Sequence, residues 1–426
     1  MAALVNQVNY TPKMPSVKSR ALTISVLPTN GATFNASNQQ IHLDIPTGQF
    51  GQYLVQEQTY LKFTVTNNDA VALTLDRDVS AIWSRMQVSH GSSVVEDISE
   101  FSTLYRVMND CQVSAIEQNT VGSSTLLHSE GTVGANATSY AAAPIASGAS
   151  ATACMPLLSG LLSPVCPKYL PLGAMGNGGN LRLTLTIDTL NNVGITADGG
   201  DVALTLSDIE LVCGIVEVDS AAQQMIDASS AGIYAISSTG YKNYTSNAGG
   251  SGETEVSLLV PAKASSMKSL FTIMRPQAHL NNAAEFGIGC RDRADLTEFH
   301  VSVGGQRVPA GKPIKAQGGN AFMELMKCFN GISNLNQRCD FGKTRYELTT
   351  STAADTAIAT KGAFVAGVEL EAYGNDGVES GMNVLGSNMF FNGTFDTITE
   401  AMHFSFFSMY DTLISVDSSG ILSVKY

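Results

Sequence analysis

In Leu181-Arg182-Leu183-Thr184-Leu185-Thr186-Ile187-Asp188, apolar and polar side chains alternate without a break. Successive residues of a strand face opposite sides, so this segment reads as a strand with one dry and one wet face. The pattern returns at residues 61–66 and 202–206, and further strand-like segments lie at 299–303, 364–370 and 404–416. Clusters such as Asn67-Asn68-Asp69 and Asp417-Ser418-Ser419-Gly420 separate them and favour turns. Buried parallel strands read as continuous apolar runs, so the alternation predicts antiparallel sheets and an all-β chain.

Two segments have helical spacing instead. Phe101, Leu104, Tyr105 and Met108 form one stripe, with Ser99 expected as the N-cap. Phe322, Leu325, Met326 and Phe329 form another within residues 320–329. Both stripes are read as core anchors rather than ligand-binding surfaces. Each helix follows a similar strand and glycine turn, Val88-Ser89-His90-Gly91 in one case and Val301-Ser302-Val303-Gly304 in the other. Val88 and Val301 are 213 residues apart, half of the 426, and Phe101 and Phe322 are 221 apart. Strand, glycine turn and amphipathic helix recurring in that order predict a duplication. Length agrees, because single cores stop growing near roughly 250–300 residues. The expected division is an N-terminal arm at 1–20, a first sandwich at 21–219, a polar helical connector at 220–231 and a second sandwich at 232–426. Residues 131–155, 245–253 and 349–360 are expected as long exposed loops, the first being a run of Ala, Ser, Gly and Thr.

Composition narrows the function. Lys and Arg number 24 against 37 Asp and Glu, a net charge of −13. There is no run of five basic residues, which argues against gripping nucleic acid through the general surface. Only 14% of residues are charged, against about 25% in an average soluble protein. Charges are costly to desolvate and are depleted at interface cores, so such a chain is suited to covering itself with partner subunits. The seven cysteines, an odd number without C-x-x-C spacing, are read as small buried hydrophobes kept reduced. Residues 1–20 lack the apolar core of a secretory signal, and no stretch reaches the roughly 18 apolar residues of a membrane span.

Catalytic templates fail one by one. Gly342-Lys343-Thr344 resembles the end of a phosphate loop, but Gln337 stands where its first glycine belongs. Gly287-Ile288-Gly289 is followed by Asp292 instead of a third glycine, and neither G-x-S-x-G, H-E-x-x-H nor H-x-H occurs. The six histidines are scattered, and His300 and His403 are expected as solvated or interface residues rather than ligands. The single tryptophan, Trp83, sits in an apolar stretch and offers no sugar platform. Neither a cofactor, a metal nor catalysis is expected. On these residues alone, a two-domain β-sandwich binding protein such as a lectin, adhesin or tail-fibre module stands as the alternative to an assembly protein.

Several segments resemble a known family. Tyr169-Leu170-Pro171-Leu172-Gly173 followed by residues 179–186 is similar to the stretch that closes the first jelly roll of double jelly-roll major capsid proteins of tailless icosahedral viruses. This is the lineage of Polinton-like viruses, virophages and adenovirus-type viruses. Residues 207–218 resemble the last strand of that unit. Residues 299–303 with Gly304, Pro309 and Pro313-Ile314, then Ser380-Gly381-Met382-Asn383 and residues 410–424, resemble parts of the second. The resemblance implies two tandem jelly-roll sandwiches with a few short helices and long loops. It also implies a homotrimeric, pseudo-hexameric capsomer that tiles a virion shell. Neighbouring capsomers, minor capsid or penton proteins and an internal membrane would be its partners, without sequence-specific nucleic-acid binding. Lys13, Lys18 and Arg20 in the N-terminal arm are the candidate inward-facing contact.

Overall fold

The computed structural model describes residues 18–113, 144–163, 168–196, 198–250, 252–329, 341–349, 362–372 and 380–425, with residues 122, 124–126, 166, 332 and 339 between them. The first half supplies β1 (Ser19–Val26), β2 (Gln40–Ile45), β3 (Gln52–Asn67), β4 (Leu73–Leu75), β5 (Trp83–His90) and β6 (Ser93–Ser99). Helix α1 (Phe101–Gln112) follows, then β7 (Ser150–Pro156), β8 (Leu181–Ile187), β9 (Gly194–Thr196) and β10 (Leu204–Val218). After helix α2 (Ser220–Ser230) come β11 (Tyr234–Ala248), β12 (Glu255–Val260), β13 (Met267–Pro276), β14 (Leu296–Val303), β15 (Gln306–Val308) and β16 (Ile314–Lys315). Helix α3 (Asn320–Lys327), β17 (Ala366–Glu369), β18 (Met389–Phe395), β19 (Met402–Val416) and β20 (Leu422–Lys425) complete it.

Two sheets, ordered β1-β10-β3-β7 and β2-β8-β5-β6, face each other in the first half. The second half repeats both orders as β11-β19-β13-β17 and β12-β18-β14-β15, with β20 added to β19 and β16 to β14. Pairings within these four sheets are antiparallel, as the alternation requires. This is an all-β fold of two tandem jelly rolls. The repeat centred on Val88 and Val301 is β5-β6-α1 set against β14-β15-α3.

Alternation decides which side chains enter each core. Leu181, Leu183, Leu185 and Ile187 of β8 are buried, while Arg182 between them is exposed. Trp83 is wholly buried, its ring centroid 5.2 Å from that of Phe63 in an edge-on contact. In the second sandwich Phe391 packs on Phe299, Phe404 and Phe406.

The helices plug the sandwiches. Phe101, Leu104, Tyr105 and Met108 of α1 are all buried. Ser99 is not the N-cap: it ends β6 opposite Arg85, and Glu100 turns the chain in a left-handed conformation (φ +46°) with no side-chain cap bond. In α3, Leu325 and Met326 are buried, but Phe322 is only half-buried, lying against Phe341 and Tyr346. Phe329 lies past the end of α3 and stacks on Phe271 at 5.1 Å.

Two of the expected loops are shorter than expected. Residues 150–155 belong to β7, which pairs with β3 and turns Ala153 and Met155 into the core. Small side chains there hid a strand, while residues 131–143 lie outside the described residues. Residues 245–248 continue β11 along β19, so only 249–253 remain of that loop. Of residues 349–360, only Thr349 is described.

The difference in burial sets an order of effect. Phe101→Ala should cost about 3–5 kcal/mol in denaturant unfolding, the usual range for a buried phenylalanine. Phe322→Ala should cost clearly less, since part of that ring already meets water. Equal losses would contradict the placement of the two rings.

Candidate functional site

Among the described residues, no group of three or more His, Cys, Asp and Glu side chains is arranged to hold a metal ion. The seven cysteines are all free thiols, with Cys111, Cys213, Cys290 and Cys328 buried. Burial pushes the Cys111 and Cys213 thiols up to about 12, which makes them poor nucleophiles. Among the described residues, no helix is long and apolar enough to cross a membrane.

Polar chemistry concentrates instead along the seam between the sandwiches. Glu100, placed by the kink between β6 and α1, receives Arg275 from the end of β13 at 3.0 Å and His403 from β19 at 2.8 Å. Arg275 also donates to Thr103 Oγ1 at 3.1 Å and to Ser405 Oγ at 2.9 Å. Burial alone would raise the Glu100 carboxyl, but Arg275, with hydrogen bonds from His403 and Ser405, overrides it and draws it down to about 2. Its contribution to stability is therefore complete above about pH 4.5 and is lost as pH falls towards 2.

Nearly three helical turns along α1, Asp110 bridges two arginines. One carboxylate oxygen takes Arg106 of the same helix, and the other takes the fully buried Arg291 from the loop before β14. Asp76, after β4, accepts the backbone N–H groups of Ile288 at 2.6 Å and Gly289 at 3.0 Å. A Cβ at Gly289 would lie 2.6 Å from Asp76 Oδ1, so a larger residue there would push the carboxylate off these N–H groups. Elsewhere on the seam Ser238 of β11 donates to the carbonyl of Gly160. His90 Nδ1 accepts the N–H of Leu422 at 3.1 Å, while its Nε2 faces the carbonyl of Met175.

These contacts fasten rather than react. Each buried carboxylate carries a desolvation cost that its partners offset, so removing one partner typically costs about 3–5 kcal/mol. The network ties the two sandwiches together at several buried points.

The residues singled out from sequence fall elsewhere. Lys13 lies outside the described residues, as does His128. Lys18 is exposed just before β1, and Arg20 makes an exposed ion pair with Glu217 across β1 and β10 at 2.7 Å. The stripe residues of α1 and α3 are buried in the hydrophobic core, except Phe322, which packs against it half-buried. His300 stands half-buried on an outer sheet face. Sequence reasoning missed Asp76, Glu100, Asp110, Arg275 and Arg291. One signal was present, since Arg275 ends the run Leu270-Phe271-Thr272-Ile273-Met274 and Asp110 sits beside Met108 and Cys111. In a chain this poor in charge, an ionised side chain inside an apolar segment marks a buried pair.

The fold can now be compared with known ones. No family model matches the sequence, and neither does any curated protein. Solved structures do match. The capsid of PBCV-1 virus superposes with a TM-score of 0.64 at 10% identity, over 98% of this chain and 99% of that one. The Sputnik virophage structure gives a TM-score of 0.64 at 11% identity, over 100% and 92%. The Faustovirus major capsid protein gives 0.61 at 10% identity, over 96% and 92%. The chain thus has the double jelly-roll fold of these virus shells along essentially its whole length.

Asp76 supplies a pH test. Its burial raises the carboxyl to about 6, against the pull of the Gly289 and Ile288 N–H groups and of Arg106 and Arg291. A raised carboxyl contributes most below its unfolded value near 3.8 and loses that contribution as pH rises through about 6. The stability of the wild type relative to Asp76→Asn should fall by about 2 kcal/mol between pH 4 and pH 8. A flat difference across that range, measured by denaturant unfolding, would show that Asp76 is not the titrating group.

Proposed function

We propose that the chain is the major shell subunit of an icosahedral virus, with three copies forming a pseudo-hexagonal capsomer. The observation that carries this reading is the pair of like-ordered sandwiches held at one angle by a buried ionic seam. Likeness to virus shell structures over the full chain supports it. In this reading residues 21–219 and 232–426 are the two jelly rolls, 220–231 is their connector, and Lys13 and Lys18 belong to an arm that contacts the particle interior, with Arg20 where that arm enters β1. The sparse surface charge supports large interfaces, since obligate contacts of roughly 2,000–5,000 Å² are mostly apolar and exclude unpaired ions. The excess of acidic residues supports a shell that leaves genome condensation to other components. Neighbouring capsomers, penton or minor capsid proteins and an underlying membrane are the partners of such a subunit, and the virion is its place. The role is structural, and no step of chemistry is assigned to it.

Light scattering on the purified protein should give a mass of three chains at micromolar concentration, with six-lobed particles in electron micrographs. A stable monomer would overturn the reading.

A further inference from the structure

Lys268 stands on β13 at the bulge where that strand's register with β19 shifts, since Met267 pairs with Tyr410 and Ser269 with Met409. Its Nζ reaches two carboxylates at once, Asp411 Oδ1 of β19 at 3.2 Å and Glu371 Oε1, two residues past β17, at 3.3 Å. All three side chains are largely withdrawn from water, Lys268 at 19% exposure and Glu371 and Asp411 at 10% each. The carboxylates are held differently. Ser266 Oγ donates at 2.6 Å to Asp411 Oδ2, the oxygen that Lys268 does not meet, and itself accepts the Gly381 N–H at 2.8 Å. Ser380 donates to Glu371 Oε1, the oxygen that does meet Lys268.

We infer that Lys268 and Asp411 condense to an amide joining β13 to β19, with Glu371 carrying a proton between them. The ammonium first passes one proton to Asp411 Oδ1, which leaves a neutral amine beside a carboxylic acid. The amine lone pair attacks Cγ, one C–O bond beyond Oδ1, and the carbonyl electrons move onto Oδ2, where the Ser266 hydroxyl receives them. Glu371 takes the second amine proton and returns it to the Oδ1 hydroxyl, and the Cγ–Oδ1 bond breaks as water leaves. Ammonium and carboxylate become amide and water, and the balance needs no oxidant and no cofactor. Asp411 is the group attacked because its far oxygen already has a donor, whereas the serine on Glu371 occupies the near one.

Condensation is unfavourable between free partners in water, and two effects offset that here. Groups held in contact react as if at about 10⁵–10⁸ M. A buried ion pair also bears a desolvation cost that a neutral amide escapes. Burial by itself would lower the Lys268 ammonium, but Asp411 and Glu371 outweigh it and hold it above its ordinary value. The neutral amine is therefore scarce, and the bond forms once, slowly, in the folded chain. Burial raises the nearby Glu369 carboxyl to about 7, which weakens its competition for the same ammonium. The inference does not depend on what the chain assembles into. Lys268 and Asp411 are 143 residues apart, so the link closes a loop through most of the second sandwich and restricts the unfolded chain as a disulfide would. It also fixes together the two strands that carry Arg275 and His403 to the seam.

Mass spectrometry of the denatured wild type tests it. The chain should be one water, about 18 Da, lighter than its sequence. Trypsin should fail to cut after Lys268, and the peptide holding Lys268 should stay joined to the one holding Asp411. Lys268→Arg keeps a cation between the carboxylates, so it should show the full mass, an unchanged circular dichroism spectrum and a lower melting temperature. Glu371→Gln should form the link about 100-fold more slowly or not at all, followed over days after purification. Linking at the wild-type rate in Glu371→Gln would overturn the proton-carrying role. A folded wild type that keeps its full mass over the same days would overturn the inference, as would a water loss mapped to any other site.

Discussion

Arg291 meets Asp110 with both side chains almost wholly out of water, and Arg275 meets Glu100 a short way along the same seam. Each pair joins a loop or strand end of the second sandwich to α1 or to Glu100 just before it. Hydrophobic contact alone would hold the two halves together but would let them slide, since it has no preferred direction. A guanidinium fork against a carboxylate has one. Domains joined by a connector ordinarily move against each other unless their interface is extensive. Here the carboxylates of Asp76, Glu100 and Asp110 all project from one side of the first sandwich, and losing any of them strands its buried partners. The angle between the sandwiches is thus set by chemistry, and a shell subunit of the proposed kind needs a fixed angle to tile.

The strands were legible because their signal is local. β8 alternates over seven residues, and nothing outside those residues is needed to see it. The duplication was legible for a related reason, since strand, glycine turn and helix are each short patterns and only their order had to be compared. The seam was not. Arg275 lies 175 residues from Glu100, and Arg291 lies 181 from Asp110. No window on the sequence holds both partners. Ser99 illustrates the same limit at short range. A serine before an amphipathic run has the chemistry of a cap, but strand pairing with Arg85 claims its backbone, and the cap position falls one residue later on Glu100, whose carboxylate is committed to Arg275. The β7 strand failed for want of bulk, because alternation between Ala and Thr carries little hydrophobic contrast.

The two sandwiches also show where the fold leaves residues free. Asp44 on β2 lies opposite Arg182 on β8, and the pair makes two hydrogen bonds of 2.7 and 2.9 Å on an outer face. The matching positions in the second sandwich are Leu259 on β12 and Phe390 on β18, again directly opposite. Both are exposed, at 51% and 36%. An ion pair in one copy and an apolar pair in the other occupy the same place in the same ladder, so the jelly roll itself demands neither. A wet face keeps its charges hydrated at little cost, whereas an exposed leucine and phenylalanine lose nothing by being covered and gain about 25 cal/mol for each Å² removed from water. The cores and the seam fix the shape of the chain, and positions such as these, which folding leaves undetermined, are the ones at which the two halves are free to differ.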